Sequence, residues 1–267
     1  MKIHYTVADP SKNITLLVTS PTDRALRPQL GARLIPLVKD ARQAAFLDRT
    51  DTGMRLETAG GELDACAIMA AAALTAQRAG ATLGDVMTLP MEVPGLPEPV
   101  VCDVTAVHGV DLVTVTMPLP TRIETADLPV PGGSARYPVV SFPGVSHVIV
   151  PAGTVDRAAA REILAHWVSV LNVPAAGMLL WNEGTRALEP LVCRRAFGAA
   201  EWLPASADAA AAVAAWMTEK RRSALSLSVK MPGGTVAAVT RWEDRLLSLS
   251  VSGTVRLRRD DAVDLVF

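Results

Sequence analysis

Two acidic side chains, Asp64 and Asp208, stand where two alanine-rich runs begin, with Cys66 just past the first and Ser206 just before the second. A carboxyl group at the head of a helix lies beside free backbone N–H groups, so it can move a proton on a substrate held there as an anion. If both turns face one cleft, two carboxylates share a site and one becomes an acid at neutral pH. The competing reading is capping: Asp and Ser are common N-caps, contributing about 0.5–2 kcal/mol, and the helix dipole would then lower the Asp64 pKa. Both readings stay open for Asp64, Ser206 and Asp208. Glu62 is either a reach-back cap or a site residue. His147, on an apolar strand, is either a hydrogen-bonded structural imidazole or a cleft residue, and Asp40 and Gln43 sit one helical turn apart, facing the cleft or solvent.

The elements that must hold these residues follow from periodicity. Residues 14–19 read as a buried strand, 28–47 as a helix with Leu30, Leu34, Leu37, Val38 and Ala41 in register, and 55–58 as a short strand ending at Gly60-Gly61. Residues 65–78 read as a helix closed by Gly80. Strands at 100–107 and 111–117 flank a His108-Gly109 turn, and the segment 118–138, with Pro129, Pro131, Gly132 and Gly133, breaks both periodicities. A domain boundary is expected there, dividing 1–130 from 131–267. The second half repeats the plan: a strand at 146–150, a helix at 156–171 capped by Thr154 or Asp156, strands at 177–181 and 188–194, a turn at 201–208, and a helix at 209–220. Strands at 226–229, 236–241, 246–250 and 255–258 close it.

With 267 residues, half of them apolar and a fifth charged, the chain suits one large domain or two smaller ones. A net charge of -1 offers no footprint for nucleic acid, and Lys220-Arg221-Arg222 and the group Arg256, Arg258, Arg259 read as solvated faces. The longest apolar run falls short of the ~20 residues of a membrane span. Met1-Lys2-Ile3-His4-Tyr5 lacks a signal-peptide core, so the cytoplasm is the expected compartment. Cys66, Cys102 and Cys193 are odd in number and widely spaced, which indicates neither disulfides nor a metal site. Phosphate-cradling glycine loops are missing, and no cofactor is expected.

Several motifs, in order along the chain, resemble those of the diaminopimelate epimerase-like superfamily of cofactor-independent racemases. Ser11-Lys12-Asn13-Ile14-Thr15 is similar to its opening strand, whose Asn contacts substrate, and Ala41-Arg42-Gln43-Ala44-Ala45-Phe46-Leu47 resembles its Ala-Glu-Gln-Val-Gly-Phe-Leu segment. Ala59-Gly60-Gly61-Glu62-Leu63-Asp64-Ala65-Cys66-Ala67 resembles its catalytic turn, with Asp64 where a proton-transferring Cys is expected. Pro143-Gly144-Val145-Ser146-His147-Val148-Ile149, Met231-Pro232-Gly233-Gly234 and Ser252-Gly253-Thr254-Val255 are similar to further family turns and strands. The second catalytic motif aligns without gaps on the segment from Glu201 to Ala210, with Glu201 and Ser206 retained and Pro204 at the thiol.

The resemblance implies an α+β fold of two pseudo-symmetric halves, each a curved, mainly antiparallel sheet around its alanine-rich helix. It implies a cleft containing 62–67 and 203–208, with Asp64 as acid/base and Asn13, Gln43, Glu62, Ala65, Cys66, His147, Glu201, Ala205 and Ser206 as binding groups. Two-thiol racemisation does not fit, since proline carries no proton. The expected activity is a proton shift or double-bond isomerisation on a small amino-acid-like carboxylate, as in phenazine-type isomerases, which use carboxylate acid/base chemistry. The alternatives are a silent ligand-binding homologue and a partner protein with a filled cleft. A homodimer is possible.

Overall fold

The computed structural model describes residues 1–51 and 53–265. In chain order the first half runs β1 (Lys2–Pro10), β2 (Ile14–Val18), α1 (Arg27–Leu34), β3 (Ala41–Thr50), β4 (Gly53–Thr58), α2 (Ala65–Arg78), β5 (Val86–Glu92), β6 (Val100–Val107) and β7 (Val110–Met117). Next come β8 (Arg122–Val130), β9 (Gly133–Phe142), β10 (Val145–Pro151), α3 (Ala160–Leu171), β11 (Ala175–Asn182), β12 (Ala187–Arg194) and β13 (Ala200–Trp202). The chain continues through α4 (Ala207–Arg221), β14 (Leu225–Met231) and β15 (Gly234–Glu243) to β16 (Arg245–Asp264).

The two alanine-rich runs form α2 and α4, which are buried almost all round because alanine lets strands approach from every side. Strands β1 to β7 lie side by side, and β16 joins β7 to β1, so eight strands close around α2 and all of them touch it. In the other half α4 packs against β9, β10, β14, β15 and β16. Each half has two parallel pairs joined across a helix: β2–β3 over α1 and β4–β5 over α2, then β10–β11 over α3 and β12–β14 over α4. The remaining pairings are antiparallel. Helices α1 and α3 cover outer faces with separate apolar clusters, whereas α2 and α4 share one core.

Several expected boundaries move. The helix expected over 28–47 stops at Leu34, since Pro36 cannot continue it, and Asp40 turns the chain in a left-handed conformation (φ 63°). Residues 41–50 become a strand despite their helix-forming composition, because a fully flanked, buried position overrides propensity. Asp40 and Gln43 therefore share no helix; Asp40 is exposed and Gln43 buried. Helix α3 begins at Ala160 without a side-chain cap, and the Thr154 hydroxyl donates to the Pro151 carbonyl instead. Segment 118–138 contributes the paired strands β8 and β9, and the boundary expected at 130/131 falls on their turn. The last two expected strands are one, β16, whose residues 255–264 pair with β1 in the first half. No helix among the described residues is long and apolar enough to cross a membrane.

Candidate active site

The turns before α2 and α4 meet where the two helices abut. Asp64 is the N-cap of α2 and Ser206 the N-cap of α4, so the two positions are symmetry mates, as are Cys66 and Asp208 in the first turns. This corrects the gap-free alignment that set Pro204 opposite Asp64: the helix starts set Ser206 there. The Ser206 hydroxyl accepts from the Ala209 N–H (3.1 Å) and donates to Asp208 Oδ1 (3.0 Å).

Asp64 does two things at once. Its Oδ1 accepts from the Ala67 N–H at 2.9 Å and from Gln43 Nε2 at 3.3 Å, while Oδ2 lies 3.7 Å from a guanidinium nitrogen of Arg194. The carboxyl is 6% exposed and its pKa rises to about 7. Burial is the main cause; the Asp208 carboxylate adds to it, and Arg194 and the Ala67 N–H oppose it. The lowered pKa expected from the helix dipole is overturned, because desolvation and a second carboxylate outweigh one turn of backbone dipoles.

Glu62 and Arg194 tie the halves together. Arg194 Nε donates to Glu62 Oε1 at 2.5 Å, with both side chains 4% exposed, and the Thr58 hydroxyl donates to Glu62 Oε2 at 3.1 Å. Of the two glycines before Glu62, Gly60 leaves room for the paired carboxylate and Gly61 makes the turn. A Cβ at Gly60 would lie 2.2 Å from Glu62 Oε2, and Gly61 holds φ at 77°. Gln43 extends the network, donating to the Thr15 hydroxyl at 2.8 Å and accepting from Arg194 at 3.5 Å.

On the α4 side, His147 Nε2 sits 2.9 Å from Asp208 Oδ2, a close contact poorly aligned for a hydrogen bond. Burial raises the Asp208 pKa, but His147 and the Ser206 hydroxyl more than offset it and hold Asp208 below the usual carboxylate range. Asp208 therefore stays charged and keeps Asp64 raised. Gly177 on the neighbouring strand makes room for the imidazole, since a Cβ there would fall 2.4 Å from Nδ1.

Cys66 and Asn13 fill the space between the helix ends. Burial, then the carboxylates of Asp64 and Asp208, push the Cys66 thiol pKa well above normal, opposed by the Ala207 N–H and the Asn13 amide beside it. Asn13 is wholly buried, and among the described residues neither its amide oxygen nor its nitrogen has a well-formed hydrogen bond. Ala65 and Ala205 are wholly buried at the helix entrances. Glu201, on β13, is only half-buried and lines an outer surface recess with Arg42 and Trp202. A cavity of about 10 Å3, room for about one water, opens beside Asp64 between Thr58, Glu62 and Val93.

Of the residues singled out from sequence, Asn13, Gln43, Glu62, Asp64, Ala65, Cys66, His147, Ala205, Ser206 and Asp208 converge here, and Glu201 lies towards the outside. Arg194 was missed, though a charge ending the apolar run Leu191-Val192-Cys193 was a usable signal. Among the described residues, no three His, Cys, Asp or Glu side chains are grouped to hold a metal.

Comparisons with known proteins agree with this architecture. A probable proline racemase from Agrobacterium radiobacter K84, solved with bound carbonate, matches with a TM-score of 0.73 over 99% of this chain and 93% of its own, at 11% identity. A hydroxyproline epimerase from Agrobacterium vitis, solved with trans-4-OH-L-proline, matches at 0.72 over 98% and 92%, at 10% identity. A methylitaconate-delta-isomerase matches at 0.56 over 98% and 95%, also at 10% identity. At such identities the likeness establishes the fold, one shared by racemases, epimerases and isomerases. No curated protein matches the chain. The family model described as the histidine racemase CntK N-terminal domain matches residues 2–260, and the chain belongs to that family.

Proposed function

We propose that the protein is a cofactor-independent isomerase that shifts a proton, or a double bond, in a small amino-acid-like carboxylate, with Asp64 as its acid/base. The observation that carries this reading is a buried carboxyl with a pKa of about 7, set between two helix N-termini whose first-turn N–H groups can receive an anion. The family match and the fold shared with racemases and isomerases support it. The resemblance to diaminopimelate epimerase-like enzymes, with Asp64 and Ser206 at the positions where thiols are expected, belongs to the same reading.

Ionised Asp64 removes a proton from a carbon beside the substrate carboxylate, and the electron pair left behind delocalises into that carboxylate. The helix N–H groups and the Asn13 amide, which has no well-formed hydrogen bond among the described residues, stabilise the extra charge. The protonated Asp64 then returns the proton to a second carbon on the same face, which moves the double bond and regenerates the carboxylate. Entry of substrate parts the halves along the Arg194–Glu62 contact, because the closed site leaves room for about one water.

The test is solvent-deuterium incorporation into a panel of amino acids and unsaturated amino-acid-like acids, followed by proton NMR. Exchange that disappears in Asp64→Asn supports the proposal. Ligand-induced thermal stabilisation with neither exchange nor a shifted product in the proton spectrum refutes catalysis and leaves a binding protein.

A further inference from the structure

The second half carries a recess of about 480 Å3 near the C-terminal end of α4, away from the buried carboxylates at its start. Its walls are Tyr137, Pro138, Ile149, Pro151, Trp181 and Trp216, contributed by β9, β10, β11 and α4. Largely apolar walls with a few polar groups, at this volume, suit a small organic ligand.

Charge and hydrogen bonding narrow the class of ligand. The rim has two cations, Arg136 and Lys220, against one acid, Glu183. Glu183 is already held by Arg221 at 2.9 Å, whereas Lys220 reaches it only at 3.5 Å and lies 5.0 Å above the Trp216 ring. The nearest acid to Arg136 is Asp127 at 3.9 Å, and both of those side chains are exposed. The rim is therefore positive overall. Trp181 is 4% exposed, and its indole N–H is buried with no acceptor among the described residues, although buried indoles normally find one.

We infer that this recess binds a planar aromatic anion, a carboxylate or sulfonate, with its ring against Trp181 and Trp216 and its charge towards Lys220 and Arg136. The indoles supply apolar contact and ring edges, and the cations supply selection for negative charge. Trp216 stands about 15 Å along α4 from the Ser206 turn, at 1.5 Å per residue, and the Ile149 wall lies about 7 Å along β10 from His147. A ligand here occupies a second site, separate from the one holding Asp64.

The probe is 8-anilinonaphthalene-1-sulfonate, titrated into the full chain and followed by its own emission and by quenching of tryptophan fluorescence. Saturable binding of one molecule per chain is expected. Trp216→Ala should weaken it about tenfold or more. Thr154 is exposed on the rim, so its variants leave the core untouched: Thr154→Glu should weaken binding about fivefold by charge repulsion, while Thr154→Gln leaves it near wild type. Equal affinities for Thr154→Glu and Thr154→Gln overturn the inference, as does non-saturable binding.

Discussion

Replacing Asp64 with asparagine should alter the pH dependence of stability more than stability at any single pH. The Asp64 pKa is raised from 3.8 to about 7, so the folded protein holds this proton more tightly than the unfolded chain does. The resulting stabilisation is complete below pH 3.8 and is lost as pH rises through about 7. At about 1.4 kcal/mol per pKa unit, the loss has a ceiling of about 4 kcal/mol. Asparagine has no such proton to lose. Its amide oxygen can still accept from the Ala67 N–H, and its NH2 group would face Arg194, adding a penalty independent of pH. The diagnostic quantity is therefore the stability of Asp64→Asn minus that of wild type, which should climb between about pH 4 and 8 by up to about 4 kcal/mol. Urea unfolding of both proteins across that range measures it. A difference that stays flat with pH refutes the environment assigned to Asp64.

Three further outcomes follow from the same contacts. Arg194→Met leaves Glu62 and Asp64 buried without their cation and should cost about 3–5 kcal/mol at pH 8, with part of the loss recovered at acid pH as carboxyls protonate; urea midpoints at the two pH values check it. Asp208→Asn removes the charge that helps raise Asp64, so the pH–rate profile of deuterium exchange, rising as Asp64 ionises, should have its midpoint below 7. Gly177→Ala drives a methyl into His147 and should cost about 1–3 kcal/mol, read by thermal unfolding, with its backbone otherwise unstrained.

The alanine runs, their small-residue entrances and the repeated order of strands made α2, α4 and the duplicated plan legible in the sequence. The segment 41–50 was not, because Ala, Arg, Gln and Leu favour a helix locally and only burial between β2 and β4 makes them a strand. The two parts of β16 looked separate because its alternation weakens around Ser252-Gly253, where it runs on between the halves. Within the site, Asp64, Glu62 and Gln43 were readable from their motifs. Arg194 stood out only as a charge ending an apolar run, and its pairing with Glu62 was not readable, since Glu62 lies 132 positions away and no local pattern links them. The match of Ser206 to Asp64 needed the helix starts, since aligning the turns residue by residue slips the register by two.

The proposed acid/base role of Asp64 requires a carboxyl that titrates near neutral pH inside the closed site. Carbon-13 NMR of carboxyl-labelled aspartates, with the Asp64 signal assigned by its loss in Asp64→Asn, measures this directly. The expected titration midpoint is about 7. A midpoint near the ordinary 3.8 would make Asp64 a helix cap alone and would contradict that role.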